Sequence, residues 1–177
     1  MRDLPKMGLI LFIVCGISAA ALAVVNMVTK APIAVQAEVE RREAFQVVMP
    51  QADEFREQDA GARWEALRGG KPVGTVMIIS TQGYSGPIAM ALGIDGDDRL
   101  AGLRVLSHTE TPGLGAKITG AAFSGQFAGL APETVKLKKD DPANGRIDAI
   151  TAATISSRAV ANAVRTAVAR AAKGVKS

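Results

Sequence analysis

The sequence predicts an α+β chain: one N-terminal transmembrane helix, then an antiparallel-sheet domain with a C-terminal helix. Three observations carry this. Met7 to Val28 runs without a single charged residue. Between Trp64 and Ser107, four short strand-like runs are separated by turn sequences, the pattern of an antiparallel meander. From Ser157 to Ala172, apolar residues recur at helical spacing.

As a helix, residues 7–28 would span about 33 Å, one hydrocarbon core. Arg2 and Lys6 precede the run and Lys30 follows it. A cleaved secretory signal has the same order of parts, and Ala21 to Ala23 offers a small-residue cleavage site. The run is longer than a usual signal core, which favours a retained anchor. Cys15 follows Phe-Ile-Val, without the small residues of a lipoprotein site, and it is the one cysteine, so no disulfide framework is expected. The weak positive bias of the tail puts residues 1–6 in the cytoplasm and the domain outside, as a single-pass protein.

The chain has 177 residues, 48% hydrophobic and 4% aromatic, which suits one modest domain plus an apolar segment. The net charge is +4. Arg158, Arg165, Arg170, Lys173 and Lys176 crowd the C-terminus with no acid among them. Nucleic acid is a poor partner for an anchored chain so short of stacking side chains. Docking to an acidic neighbour, lipid headgroups or a bound phosphate fits better.

After the anchor, residues 29–50 read as a juxtamembrane helix, with Pro32 in its first turn and Pro50 as its stop. Residues 51–177 form the outer domain. Its strands are expected at Trp64–Leu67, Val73–Ser80, Ile88–Ile94 and Leu100–Ser107. Gly69 and Gly70 suit a hairpin between the first two. A short helix is expected to run through Phe127, and "TVKLKK" reads as one more strand. In the last helix Val160, Ala163, Val164, Ala167, Val168 and Ala171 form the apolar face, with Ser156 as N-cap and Gly174 as stop. That places Thr154 about two residues before the helix, where outward-pointing N–H groups favour an anion.

Two stretches carry chemistry. "DAITAATISSRAV", residues 148–160, sets two threonines in a small-residue turn ahead of that helix. They read either as caps or as an attachment point. "ETPGLGAK", residues 110–117, is by itself an ordinary turn. Behind an anchor, and after "GYSGPIAMALGID" from Gly83, these motifs resemble the G subunit of the Rnf membrane complex. They resemble less closely the C subunit of the sodium-pumping NADH:quinone reductase.

The resemblance covers most of the chain and implies an FMN-binding domain. "DAITAAT" matches the pattern Asp-x-x-Ser/Thr-Gly-Ala-Thr, in which FMN is joined through its phosphate to the last threonine, here Thr154. Ala152 stands where the motif has Gly, a departure that matters if the position needs positive φ. Asp148, Thr151, Ala152, Ala153, Ile155 and Ser156 accompany Thr154 in the cofactor site. The implied role is electron transfer, without substrate turnover of its own, in an ion-translocating ferredoxin:NAD oxidoreductase. Implied partners are the other membrane and redox subunits and a flavin transferase. The implied location is the cell inner membrane, with the flavin domain on the extracytoplasmic side.

Read from the residues, "ETPGLGAK" suits a ring-contact loop. Gly113 and Gly115 would let the backbone approach, Pro112 would fix its direction, and Leu114 would lie against a flat ring. Glu110 and Thr111 would bond the flavin's polar edge or the loop itself, and Lys117 would balance reduced flavin. Tyr84 would touch the ring or simply pack, and Arg158 would stabilise the phosphate. Two other classes remain open. Ser156 or Ser157 with His108 and Asp148 are the residue types of a hydrolase, but no G-x-S-x-G elbow frames them. A flavin-free, membrane-anchored assembly module would keep the fold.

Overall fold

A computed structural model describes residues 4–59 and 61–174, which fall into two compact units divided between Glu40 and Arg41. Arg2 of the expected tail and Lys176 of the basic terminus lie outside the described residues. Helix α1 covers Leu4–Val48. In the first unit its apolar side chains, among them Leu11, Phe12, Ile17 and Leu22, are exposed. It is long and apolar enough to cross a membrane.

Pro32 lies inside α1, not in the first turn of a second helix. The proline removes the donor for one helical bond, a loss that an apolar membrane-type helix tolerates better than a soluble one. One turn earlier the Thr29 hydroxyl donates to the Val25 carbonyl at 2.8 Å. The helix ends two residues before Pro50, because the residue preceding a proline is disfavoured in α geometry.

The second unit holds a five-stranded antiparallel meander in the order β1 (Glu54–Asp59), β2 (Arg63–Arg68), β3 (Lys71–Gln82), β4 (Pro87–Asp95) and β5 (Leu100–His108). Gly69 and Gly70, at φ 56° and 77°, make the two-residue turn between β2 and β3, the geometry whose twist matches paired strands. β1 was not expected. Its residues "EFREQD" are exposed except for half-buried Phe55, so no alternation marks it. "TVKLKK" forms no strand; it contributes one parallel bridge, Leu137 to Ile147. Val135 and Leu137 alternate with Lys136 because a loop also buries its apolar side chains.

Both faces of the sheet are covered. On one, Ile88, Met90, Leu92 and Ile94 of β4 share a core with Val160, Val164 and Val168 of α3 (Thr154–Gly174). Ala161 is buried there and Ala163 only half-buried, one position off the expected stripe. Between β5 and α3, short 3₁₀ turns flank α2 (Ala121–Ser124), which sets Phe123 and Phe127 into the same core. On the other face, Ala44, Phe45, Val48 and Met49 pack with Trp64, Val76 and Ala91.

Gly93 and Gly102 are paired across β4 and β5, directly under Val48. A Cβ on Gly93 would collide with the Val48 carbonyl oxygen, and one on Gly102 would lie 2.9 Å from the Val48 Cα. Gly93→Ala is therefore expected to destabilise the domain by about 1–3 kcal/mol, read as a lower Tm of the detergent-solubilised protein. An unchanged Tm would mean that this backbone approach is not tight.

Candidate functional site

The site is built around the start of α3. Ile150 to Ala153 form a turn closed by the Ala153 N–H donating to the Ile150 carbonyl at 2.9 Å. Ala152 sits at φ 63°, in the left-handed region, so the motif's glycine position does need positive φ. The Ser157 N–H donates to the Ala153 carbonyl at 3.0 Å, so α3 begins at Thr154. Thr154 is thus the first helical residue, not one two positions ahead, and Ser156 is not the cap. The small-residue turn hands over to the helix earlier than the serine pair suggests. Among the described residues, neither the Thr154 hydroxyl nor the backbone N–H groups of Thr154, Ile155 and Ser156 have a hydrogen-bond partner.

Both serine hydroxyls turn inward. Ser157 Oγ donates to the Ala153 carbonyl at 2.9 Å and accepts the Ile150 N–H at 3.0 Å, which braces the turn. Ser156 Oγ donates to Glu110 Oε2 at 2.6 Å. Glu110 is buried, and its Oε1 accepts the N–H groups of Tyr84 at 2.8 Å and Ser85 at 3.0 Å. One carboxylate thereby ties the β3–β4 hairpin to the first turn of α3. Burial pushes the Glu110 carboxyl up, but the bonds from Ser156, Ser85 and Tyr84 outweigh it and hold the pKa below the usual carboxylate value.

Thr111 to Leu114 make a turn closed by the Leu114 N–H on the Thr111 carbonyl, with Pro112 second and Gly113 third at φ 77°, the residue order of a type II turn. Gly113's freedom therefore serves the turn. Gly115 does permit a close approach, but of Glu110: a Cβ there would collide with the Glu110 carboxylate, as would one on Gly83. Glu110 accordingly bonds the β3–β4 hairpin and the start of α3 rather than its own loop.

These elements enclose a cleft of about 380 Å³. Tyr84, Glu110, Thr111, Leu114 and Gly115 line one side, and Ala152 to Ser156 line the other. Tyr84 is 71%, Ile155 53% and Leu114 44% exposed, an unusual amount of apolar surface to leave at one opening. A larger cleft of about 890 Å³ lies beside β1, lined by Arg41, Phe45, Phe55 and Trp64, but no expected site residue borders it.

A protein-family model described as the FMN-binding domain matches residues 83–169. The chain is 33% identical over 160 residues to the G subunit of the proton-translocating ferredoxin:NAD(+) oxidoreductase complex of Clostridium ljungdahlii, covering 89% of this chain and 86% of that one. It belongs to the G-subunit family of ion-translocating oxidoreductase complexes. The G subunit of the ion-translocating oxidoreductase complex of Methanosarcina acetivorans is 32% identical over 179 residues, 94% of each chain. Among solved structures, the C subunit of the Na(+)-translocating NADH-quinone reductase of Parabacteroides distasonis superposes with a TM-score of 0.51 at 26% identity, over 59% of this chain and 57% of that one.

The cleft of this G-family protein suits an FMN-like group in two respects. Three open N–H groups and a hydroxyl at a helix start suit a phosphate, and the exposed Tyr84, Leu114 and Ile155 suit a flat apolar ring. Several expected members of the site lie off the cleft. Asp148 pairs with Lys138 at 2.7 Å, and its N–H donates to the Gln126 side chain. Thr151, Pro112, Gly113 and Lys117 do not line it. Both side-chain bonds of Arg158, at 2.7 Å, go to Asp140. That contact lowers the Asp140 pKa and raises that of Arg158.

The hydrolase arrangement is not assembled. His108 Nδ1 accepts the Glu110 N–H at 3.2 Å, while Ser156, Ser157 and Asp148 are each committed elsewhere. Sequence reasoning missed the amides of Tyr84 and Ser85 and the Asp140 partner of Arg158. The one available signal was Gly83 in "QGYSG", whose missing side chain makes room for Glu110.

Ala152 predicts a gain from substitution. An L-residue in the left-handed region costs about 1–2 kcal/mol, more than the 0.4–1 kcal/mol or so of extra chain entropy that glycine carries. Ala152→Gly is expected to raise stability by up to about 1 kcal/mol, seen as a higher Tm. A lower Tm would contradict the strain assigned here.

Proposed function

We propose that this chain is the electron-carrying flavoprotein subunit of a membrane-bound, ion-translocating ferredoxin:NAD oxidoreductase, with FMN held as a phosphate ester on Thr154. The observation that carries this reading is the start of α3: an unpartnered threonine hydroxyl among three uncapped N–H groups, opening onto an apolar-rimmed cleft. Family membership, with relatives matched over nearly their whole length, supports the Rnf setting over that of the quinone reductase.

Bound FMN supplies one- or two-electron redox chemistry at an unmodified ring. The chain's own residues do the rest. The helix start neutralises part of the phosphate charge. Tyr84, Leu114 and Ile155 cover ring surface and exclude water from it. The Thr154 ester keeps the group on a domain with no cytoplasmic pool of FMN to draw on. The chain turns over no substrate by itself, and a flavin transferase makes the bond during maturation. The anchor runs outward from a cytoplasmic N-terminus, so the domain faces the extracytoplasmic side.

The test is a denaturing gel viewed under ultraviolet light, with the full chain made in cells that contain the transferase. A fluorescent band supports the reading, and a dark band contradicts it. Thr151→Ala is expected to keep the fluorescence. Topology is tested by adding a membrane-impermeant thiol reagent to spheroplasts carrying Asp97→Cys at the exposed β4–β5 turn. Labelling before lysis supports an outer domain, and labelling only after lysis places it inside.

A further inference from the structure

Among the described residues Glu110 is the one charged side chain that is buried, and it lies in the wall of the cleft. Its carboxylate receives three donors, Tyr84 N–H, Ser85 N–H and Ser156 O–H, and faces no acceptor, so the ionised form is the one the pocket is shaped for. No Lys or Arg among the described residues pairs with it. Lys138 and Arg158 pair with Asp148 and Asp140 instead. The result is a buried negative charge without a Lys or Arg partner, beside a surface suited to a flat ring.

We propose that Glu110 is a tuning residue, whose buried negative charge holds the reduction potential of the cleft's flavin low. This rests on the flavin reading above. Reduction in mildly alkaline buffer gives the ring two electrons and one proton, so it ends one unit more negative. A fixed anion in a partly dehydrated wall opposes that added charge. The Ser156 hydroxyl dipole, pointing its proton at Glu110, offsets part of the effect.

Two variants separate charge from shape. Glu110→Gln keeps the side-chain outline, and its amide can still accept from the hairpin and donate to Ser156 Oγ. Ser156→Ala leaves the carboxylate charged and removes a donor that screens it. Wild type and both variants are purified as full chains from cells containing the transferase. Each is checked for in-gel fluorescence and titrated anaerobically with dithionite, which is oxidised to sulfite and supplies the two electrons, while flavin absorbance is read against mediator dyes.

Glu110→Gln is expected to shift the midpoint positive, changing the oxidised-to-reduced ratio at fixed potential by about tenfold, or about 30 mV for a two-electron couple. Ser156→Ala is expected to shift it the other way. A merely structural role would not produce opposite signs. If wild type carries no covalent flavin, both this inference and the reading beneath it fail. If wild type is flavinylated and Glu110→Gln leaves the midpoint unchanged, or loads no flavin, only this inference is overturned. If Glu110→Gln does not fold, Ser156→Ala decides by the sign of its own shift.

Discussion

Thr154→Ala is expected to reduce in-gel flavin fluorescence to background while leaving the domain folded. The first half follows from chemistry: a phosphate ester needs the hydroxyl oxygen, and alanine has none. The second half follows from position. Thr154 is half-buried, its hydroxyl has no partner, and alanine favours a first helical turn. The change in stability should therefore stay within about 0.5 kcal/mol, the range of an ordinary surface substitution. Thr154→Ser, which restores an oxygen at the same place, is expected to recover some fluorescence. A Thr154→Ala band as bright as wild type would mean that the flavin is attached elsewhere. A collapsed Tm would mean that the threonine holds the turn rather than the cofactor.

Glu110→Ala is the largest expected loss of stability. It leaves Ser156 Oγ with no acceptor in a buried position and frees the hairpin amides that the carboxylate holds. Hydrogen bonds to a charged group contribute about 1.5–3 kcal/mol each, and a stranded buried donor costs a similar amount. Water entering from the cleft recovers part of this, so a net loss of about 3 kcal/mol is expected. Glu110→Gln should cost about 1 kcal/mol. The sign of the pH dependence also follows. The folded-state pKa is lowered, so the ionised carboxylate stabilises the fold above the unfolded-state value. That contribution disappears as pH falls through the lowered value. The stability gap between wild type and Glu110→Gln, measured by urea unfolding, should therefore be full at neutral pH and shrink in acid. A gap that widens in acid would contradict an ionised Glu110.

Much of this molecule is legible in its residues. β2 to β5 and α3 lie within a few residues of where apolar patterning puts them, because each buries apolar side chains in one of the two cores. The exceptions share a cause: what decides them is a contact remote in sequence. β1 has one apolar residue, Phe55, and is a strand because β2 offers it an edge and Phe45, ten residues earlier, packs against that ring. Ser156 has the local signature of a helix cap, but a carboxylate 46 residues earlier recruits its hydroxyl inward. Arg158 sits one turn after Thr154 and invites a phosphate role, yet Asp140, 18 residues away, holds it at two points. Ala152 is the opposite case. The motif implies a position that wants glycine, and φ at that residue is positive.

The central claim is an ester between the Thr154 oxygen and the phosphate of FMN. Trypsin cleaves after Arg146 and Arg158, releasing one peptide, residues 147–158, that contains both motif threonines and both serines. Mass analysis of this peptide, from chain matured with the transferase, should find the mass of FMN less one water, and fragmentation should assign it to Thr154. An unmodified peptide, or the added mass on Thr151, Ser156 or Ser157, would contradict the account.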